Sequence, residues 1–435
     1  MEPITVNRTV VADGVALNYM KTDLFKASVF VADLLVPLSS ETSPYYSLLP
    51  QVLERGSDRY PTQADLCRSL EELYASSLSY RVFKRGDWLT VEFCLDMLDG
   101  AFAFDESDLF GKVMAIFKEY LLHPLGYSKN GLLWDEYVQS EKKNFKDLIR
   151  SSDNNRTKYA LKSCVKHMFA GEAFGTAVKG TPEFADTITA QALTQAYETL
   201  LRSARVECFY VGGEDERRVL AETGAIFSSR SYAPAKEVAL VVHPAPAAPR
   251  VYEEDSESLQ GKLIMGFSHE IGLWEKDYRA VPMMLEVLSG SPTSKLFMNV
   301  REKLSLCYYC SASSVGMKGA FLVSSGIENG KRNVARDAIL EQLEEIKEGK
   351  ISAEEWENAK GSLQTVLEAS YDSPLALCGW YLTRVLLEES YSPMDYMDTI
   401  LSVTREEVAA VAKRTVLDTE FFLRGIGSEE EREDE

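Results

Sequence analysis

The sequence repeats itself, and this repeat constrains the fold more than any other feature. In the first half, VFVADLLVPL precedes an amphipathic helix ending in LERGS and two alternating strands joined at a Lys/Arg-Gly turn. In the second half, KLIMGFSHEI, a helix ending in LSGSP and another strand pair follow in the same order. Three pairs of landmarks keep this order: Gly86 and Gly319, Trp134 and Trp356, Thr189 and Thr404. The sequence therefore predicts a duplicated α+β unit.

A proline-rich stretch separates the two repeats. Four prolines and several alanines lie in YAPAKEVALVVHPAPAAPRV, a composition typical of an extended, stiff linker. We expect an N-terminal domain over residues 1–231, a linker over 232–256, a C-terminal domain over 257–427 and a solvated acidic tail over 428–435. The expected fold class is α+β: two duplicated domains in a clam-like arrangement, each an antiparallel-rich sheet with helices packed on one face.

The charge and the cysteines narrow the function classes. A formal net charge of −20 argues against nucleic acid and against an anionic membrane as partners. No apolar run approaches the roughly 20 residues of a membrane span, and no leader pattern opens the chain. The seven cysteines are scattered through mostly apolar stretches, which is typical of reduced core thiols. The sequence predicts a soluble, cytoplasmic protein that binds neither nucleic acid nor membrane.

The stretch YYSLLPQVLERGS predicts an apolar helix whose inner face carries no chemistry. Together with the repeat, it resembles the first helix of the pitrilysin/insulinase-type peptidases, whose inverted motif His-x-x-Glu-His holds zinc. In this frame Ser47 and Gln51 stand where the resemblance implies two histidines, and Pro50 stands where it implies the general base. The third ligand, a distant glutamate, corresponds to Leu148 in the segment EKKNFKDL that begins at Glu141.

The resemblance thus implies a degenerate metal site. None of the three ligand positions holds an imidazole or a carboxylate, and Pro50 has no backbone N–H to give to the helix. We expect no catalytic residue, no zinc and no other cofactor in this chain, and no peptidase activity of the chain alone. Zinc is expected in a partner chain.

The second repeat keeps one feature of the family. Its segment Arg301-Glu-Lys-Leu-Ser-Leu-Cys-Tyr308 matches the pattern Arg-Glu-Lys-x-x-Leu-x-Tyr. The resemblance implies that Arg301 and Tyr308 bind substrate, since a guanidinium and a phenol hydroxyl both donate hydrogen bonds to a polarised carbonyl oxygen. The alternative is ordinary structure: an arginine in a surface ion pair at a helix end and a tyrosine in the core.

Two further patterns do not predict a site. Cys307-Tyr-Tyr-Cys310 is formally a CxxC motif, but an alternating strand points the two thiols to opposite faces, which disfavours redox chemistry. His269 follows a strand without a second histidine four residues on, so a turn residue is predicted. The remaining histidines share no ligand spacing and are expected to be structural or exposed: His123, His167 and His243.

The function that the resemblance implies is that of a non-catalytic subunit. It pairs with a catalytic relative that carries His-x-x-Glu-His and helps to hold an unstructured peptide substrate in the shared chamber. Bacterial pairs of this kind include one associated with the aminopentanol modification of elongation factor P. Whether the chain forms a homodimer when alone stays open. Two alternatives are a structural subunit like the core proteins of the respiratory bc1 complex, and a metallopeptidase with unusual ligands.

Overall fold

The computed structural model describes residues 4–104 and 108–427, and its strands form two mixed sheets. The predicted acidic tail over 428–435 lies outside the described residues. The strands are β1 (Val6–Ala12), β2 (Val15–Lys21), β3 (Ala27–Pro37), β4 (Ser77–Arg85), β5 (Trp88–Leu98), β6 (Arg205–Gly212), β7 (Arg250–Ser256), β8 (Gly261–Ser268), β9 (Cys307–Val315), β10 (Ala320–Ile327) and β11 (Val416–Gly425).

Helices occupy most of the remaining described chain, and none of them is both long and apolar enough to cross a membrane. Two segments have π-helical turns, Glu286–Gly290 and Leu296–Lys303. The α-helices are α1 (Ser43–Leu53), α2 (Gln63–Glu71), α3 (Leu109–Leu122), α4 (Tyr127–Asn130), α5 (Asp135–Asn154), α6 (Arg156–Met168), α7 (Pro182–Thr187), α8 (Ala190–Ser203), α9 (Glu216–Phe227), α10 (Ala280–Leu285), α11 (Arg332–Lys347), α12 (Ala353–Glu368), α13 (Pro374–Leu386), α14 (Pro393–Leu401) and α15 (Arg405–Arg414).

The two sheets have the same topology. The first has the strand order β1-β2-β6-β3-β5-β4 and the second has the order β7-β11-β8-β10-β9. Each contains one parallel pair, β2 with β6 and β7 with β11, while the other neighbours are antiparallel. Without β1 the two orders correspond strand by strand. The predicted α+β class, the duplication and the antiparallel-rich sheets are confirmed.

Two of the three landmark pairs occupy equivalent places in the two repeats, but the tryptophan pair does not, since one tryptophan precedes α5 and the other lies within α12. Gly86 and Gly319 lie at the β4–β5 and β9–β10 turns with φ of 57° and 62°, a left-handed conformation that glycine adopts without strain. Thr189 and Thr404 are the N-caps of α8 and α15, and each side chain accepts a hydrogen bond from a backbone N–H three residues on. The sequence repeats these residues because each copy needs the same turn and the same helix start.

The described residues group into two compact units, and the grouping departs from the linear order of the chain. The first unit comprises the described parts of 1–150, 176–238 and 370–392, and the second comprises those of 151–175, 239–369 and 393–435. Helix α6, from the first repeat of the sequence, therefore belongs to the second unit. Helix α13, from the second repeat, belongs to the first unit. The predicted boundaries at 231 and 257 stay a prediction. Strand β7 lies inside the predicted linker.

In the first unit, the helical layer and α13 cover opposite faces of the sheet. Phe30 and Phe93 pack against Phe117 of α3, with both pairs of ring centroids 6.1 Å apart. The side chain of Arg85 on β4 points to the opposite face of the sheet, where it donates a hydrogen bond to the carbonyl of Gly379 on α13 at 3.3 Å. Strands β3, β5 and β6 are consequently buried on both faces, so their sequences are nearly continuous apolar runs.

In the second unit, α6 covers one face in the same way. Cys164 and Met168 of α6 form a buried apolar cluster with Ile264 of β8, Leu322 of β10 and Phe421 of β11. The prediction of helices on one face did not include this additional helix. Each sheet thus has a helical layer on one face and a single helix from the other repeat on the opposite face.

A row of three carboxylates crosses the face of the first sheet that α13 covers. Asp33 pairs in register with Glu92 on one side and with Glu207 on the other. Arg81 makes two hydrogen bonds to Glu92, at 2.5 and 2.8 Å, and Arg205 donates to Glu207 at 2.9 Å. Oδ1 of Asp33 is buried and has no hydrogen-bond partner. Burial raises the pKa of Asp33 well above its usual value, and the charge of Glu92 adds to this.

We predict that Asp33→Asn stabilises the protein above pH 5. The folded state holds a proton on Asp33 that the unfolded state releases near pH 4, so this group makes unfolding easier as pH rises, by about 1.4 kcal/mol per pH unit until the folded-state pKa is reached. Denaturant titrations at pH 5, 6.5 and 8 measure the difference. The gain of the variant over the wild type should grow with pH.

The matched control is Asp13→Asn, which removes the same charge at an exposed position. It should leave the pH dependence of the unfolding free energy close to that of the wild type. A destabilised Asp33→Asn variant at pH 8 contradicts the assignment of Asp33 as a neutral, buried acid.

Candidate functional site

Helix α1 carries Ser47 and Gln51, the first two positions of the predicted degenerate metal site, and it is held by contacts of its own. Ser47 is 3% exposed and donates a hydrogen bond to the carbonyl of Val178 at 2.9 Å. Gln51, one turn later, donates weakly to the carbonyl of Ser47 at 3.4 Å. The helix continues through Pro50, whose carbonyl accepts hydrogen bonds from the Tyr120 hydroxyl and from a backbone N–H. Ser47 therefore anchors the helix to its own unit, and neither it nor Gln51 offers a strong metal ligand.

Leu148 lies on α5 and is 41% exposed. Glu141, two turns earlier, is 6% exposed and accepts a hydrogen bond from Asn144 at 3.1 Å. Arg55, just after α1, forms an ion pair with Glu141 at 3.3 Å and lies over the ring of Tyr137. Helices α1 and α5 thus meet through an arginine and a carboxylate, whose charges neutralise each other.

Near this contact of α1 with α5 lie two groups that the sequence did not predict, the carboxyl group of Glu54 and the phenol of Tyr80. Burial raises the pKa of Glu54 above its usual value, and the negative charge of Glu141 adds to this. Burial likewise raises the pKa of Tyr80 to about 12, with contributions from Glu54 and Glu141. These shifts favour neutral groups, whereas a metal ligand must be deprotonated. Within residues 4–104 and 108–427, no group of three or more His, Cys, Asp or Glu side chains has a metal-binding arrangement.

Arg301 lies on the π-helical segment Leu296–Lys303. Its side chain is 41% exposed, its guanidinium lies 4.5 Å from the ring centroid of Phe297, and Nε is 3.5 Å from a carboxylate oxygen of Glu302. The aromatic ring fixes one side of the guanidinium, while the partner on the other side is an exposed carboxylate. Such a surface ion pair is weak, so the donors of Arg301 can turn to a ligand at little cost.

Tyr308 is 65% exposed and lies on β9, the last strand of its sheet. The alternative of a core tyrosine is therefore wrong. The surface ion pair expected for Arg301 in that alternative does exist, with Glu302. An exposed tyrosine at a sheet edge has a hydroxyl that can donate to a ligand, so the structure keeps Tyr308 chemically accessible.

The prediction that Cys307 and Cys310 point to opposite faces is wrong. Cys310 pairs with Ser325 of β10, but Cys307 pairs with Ile327 because the register shifts by one residue between them. This β-bulge adds one residue to β9 and reverses the alternation. Ser325 and Ile327 lie on one face, so both thiols also do, and each thiol shifts the pKa of the other. The signal in the sequence is Gly326 within β10, because a glycine inside a strand often marks a bulge.

His269 and His243 are both buried in the second unit, but their electrostatic states differ. Burial lowers the pKa of His269 to about 4, and the charge of Arg414 adds to this. His269 follows β8, it accepts a hydrogen bond from the backbone N–H of Ile271 at 3.2 Å, and Glu270 has a φ of 53°. His269 is thus a neutral structural residue.

His243 is the centre of a buried ion cluster. Its ring nitrogens contact Glu172 and, at 3.0 Å, Asp418. Lys318 pairs with Glu172 at 2.8 Å, and Arg250 pairs with Asp418. Burial alone would lower the pKa of His243, but the hydrogen bonds to Asp418 and Glu172 outweigh it and raise the pKa to about 9. The cluster attaches the segment after the first repeat to the second sheet, which is a structural role.

A cavity of about 310 Å³ lies in the first unit, away from the residues discussed above. Asp99 in its wall already accepts hydrogen bonds from Ser28, Ala101 and Gly213. The hydroxyl of Tyr210 donates to Ser28. These polar groups satisfy one another, so none of them is left directed at a ligand.

Known proteins share this fold. Residues 187–363 match the family model described as the peptidase M16 inactive domain. The chain is 26% identical, over 415 residues, to the probable inactive metalloprotease YmfF of Bacillus subtilis, covering 95% of this chain and 96% of that protein. The crystal structure of a conserved protein from Enterococcus faecalis matches with a TM-score of 0.90 at 26% identity, over 98% of this chain and 99% of that one.

A crystal structure of a peptidase M16 inactive domain from Pseudomonas fluorescens has the same fold, with a TM-score of 0.78 at 17% identity over 97% of this chain and 99% of that one. The repeated α+β units define the class as a homologue of these peptidases. Over its whole length the chain resembles the M16, or pitrilysin/insulinase-type, peptidase family of the inactive-domain type. The resemblance inferred from the sequence is confirmed.

We predict that the purified protein holds no stoichiometric zinc and cleaves no peptide, because Ser47, Gln51 and Leu148 supply no strong ligand. Elemental analysis of protein prepared without chelators measures the zinc content. A catalytic relative with His-x-x-Glu-His, prepared in the same way, is the positive control and should hold about one zinc per chain. One tightly bound zinc in this chain, with cleavage that a chelator abolishes, contradicts the prediction.

We predict that His243→Gln destabilises the protein most below pH 6.5. The raised pKa means that protonated His243 contributes its full stabilisation below the unfolded-state pKa near 6.5 and loses it as pH rises through about 9. Removing one member of a buried ion cluster costs roughly 3 kcal/mol or more. Denaturant titrations at pH 6 and pH 9.5 should show a smaller difference at the higher pH. The exposed His123→Gln is the control, and a pH-independent deficit contradicts the assignment.

Proposed function

We propose that this chain is the zinc-free subunit of a heterodimeric M16 peptidase and that it holds peptide substrate for a catalytic relative. The partner carries His-x-x-Glu-His and supplies the zinc. The observation that carries the proposal is the exposure of Arg301 and Tyr308 at the edge strand β9, in a chain where Ser47, Gln51 and Leu148 stand at the ligand positions that the resemblance implies. Donors that suit a polarised carbonyl are useful only where a metal site acts on the same peptide.

The edge of β9 supports binding of an extended peptide. In antiparallel pairs, alternate residues direct their N–H and C=O groups away from the partner strand. Ala312 is such a residue, since its N–H donates to the Ser289 hydroxyl at 2.6 Å rather than to β10. Cys310 and Ser314 share its orientation and direct their backbone groups to the same edge. An added strand can pair with the backbone groups of Cys310 and Ser314, where it would displace or lie beside the contact of Ala312 with Ser289, and the alternate side chains of β9 then contact the peptide.

The charge of the chain fits a proteinaceous partner better than nucleic acid. A formal net charge of −20 opposes binding to phosphates and to anionic lipid, and it favours complementary basic surfaces on a partner or a substrate. A cytoplasmic location, a link to elongation factor P modification and a homodimer of the isolated chain stay predictions.

The principal competing function is a structural subunit that binds no peptide. It needs neither the exposed hydroxyl of Tyr308 nor the weakly held guanidinium of Arg301. A metallopeptidase with unusual ligands has less support, because the described residues contain no metal-binding arrangement of His, Cys, Asp or Glu. The peptide-holding subunit and the structural subunit differ in the role that each gives to Arg301 and Tyr308 in the assembled pair.

We predict that Arg301→Ala and Tyr308→Phe leave pairing with the catalytic relative intact while lowering peptide turnover by the pair about a hundredfold. Loss of one preorganised donor typically costs on the order of 3 kcal/mol in the barrier. Arg301→Lys should restore turnover only in part, since an ammonium lacks the planar fork of a guanidinium. Turnover, complex formation by size-exclusion chromatography and melting temperature are measured on the same preparations.

Glu302→Gln is the matched control, because it alters the surface ion pair of Arg301 and leaves the guanidinium in place. Its turnover should equal that of the wild type. Normal turnover in both Arg301→Ala and Tyr308→Phe, with pairing intact, favours the structural subunit. A catalytic relative that is equally active without this chain contradicts the divided site altogether.

A further inference from the structure

The β-bulge in β9 creates a pair of neighbouring thiols. Cys307 lies opposite Ile327 and Cys310 lies opposite Ser325, and these two β10 residues are separated by a single residue. Two residues of a strand span about 6.6 Å. Without the bulge, the two cysteines would be about 10 Å apart and on opposite faces. The bulge therefore brings their Cα atoms to about the separation of their partners, within the limit of about 6.8 Å for a disulfide.

The thiols already interact, and their environments are unequal. The hydrogen bond with Cys310 lowers the pKa of Cys307, and the positive charge of Arg301 lowers it further against the effect of burial. The same hydrogen bond raises the pKa of Cys310. A thiolate is the nucleophile in cysteine chemistry. Cys307 is therefore the thiol that attacks an oxidant first, and Cys310 is the thiol that attacks the sulphur of Cys307 afterwards.

The other buried cysteines differ from Cys307. Burial raises the pKa of Cys94 and of Cys164 to about 12, and it also raises the pKa values of Cys208 and Cys378. These thiols are therefore inert. Cys67 is exposed and has no second thiol in contact with it among the described residues. Among the seven cysteines, a thiol pair with an activated member occurs at Cys307 and Cys310.

We propose that Cys307 and Cys310 form a reversible intrachain disulfide in reaction with a small hydroperoxide such as hydrogen peroxide. The Cys307 thiolate attacks the peroxide, forming an S–O bond as the O–O bond breaks and hydroxide leaves to be protonated to water. The sulphur of Cys310 then attacks that of Cys307, the S–S bond forms, the S–O bond breaks, and the released hydroxide takes the Cys310 proton. Two electrons pass from the thiols to the peroxide, and two waters form. This modification goes beyond the proposed function and does not depend on it.

The surroundings permit this reaction. The pair lies on an edge strand, Cys307 and Cys310 are 8% and 9% exposed, and Tyr308 and Leu304, close in the sequence, are well exposed, so Cys307 lies just below the surface. Tyr308 is the inserted residue of the bulge. Closing the disulfide on either side of it locks the bulge and fixes the direction of the tyrosine. Reduction by a small dithiol restores the starting state.

The test uses the full chain with Cys67→Ser, which removes the exposed thiol that could link two molecules. Brief treatment with hydrogen peroxide, alkylation of free thiols and tryptic digestion yield a peptide of residues 304–318 that contains both cysteines. We expect this peptide to be lighter by two hydrogens and unalkylated, and dithiothreitol to reverse the change. Peptides with Cys94, Cys164, Cys208 and Cys378 should stay fully alkylated.

Two variants in the same background separate the roles of the thiols. Cys310→Ser should abolish the disulfide and leave a sulfenic acid on Cys307 that dimedone captures, whereas Cys307→Ser should capture none. Arg301→Gln should shift the pH dependence of Cys307 alkylation to higher pH and slow the reaction at neutral pH. A 304–318 peptide that keeps both thiols after treatment overturns the proposal. So does a disulfide that forms only in denaturant. If a variant fails to fold, the mapping of the Cys67→Ser protein decides alone.

Discussion

The fold depends on one constraint: a sheet that is buried on both faces needs helices or other elements packed against each face. A sheet with one helical layer leaves its other face to water or to a further element. In both units that element is one helix, α13 on the first sheet and α6 on the second, and each comes from the part of the sequence that mainly forms the other unit. Separating the chain at the linker would therefore strip both sheets of a cover, so the two repeats depend on each other for their cores.

The repeat and the sheets could be predicted because their signals are local. Alternation marks the strands, and Gly86, Gly319, Thr189 and Thr404 mark the turns and helix starts that both copies require. The exchange of α6 and α13 could not be predicted in this way. An amphipathic helix needs an apolar surface, but its own sequence does not say which of two similar sheets provides it. The positions of the covering helices are set by packing between residues that are far apart in the chain.

The site shows the same division between local and non-local information. That Ser47, Gln51 and Leu148 carry neither an imidazole nor a carboxylate is visible in the sequence itself. The ion pair of Arg55 with Glu141 and the bond from Ser47 to Val178, which now hold this region, connect distant segments and gave no local signal. The predicted face of Cys307 is also wrong. Alternation of side chains between the two faces assumes a regular strand, and the bulge is defined only by the pairing of β9 with β10.

The candidate site residues of the two repeats are held in different ways. In the first, Ser47 is buried and hydrogen-bonded, and the carboxylate of Glu141 is neutralised by Arg55. In the second, Arg301, Tyr308 and the edge of β9 stay exposed and only weakly engaged. A residue that serves stability alone is normally buried or paired, because exposed contacts contribute little. Stability explains the first set of residues and leaves the second unexplained, and this asymmetry is the reason to look for a ligand at β9 rather than at α1.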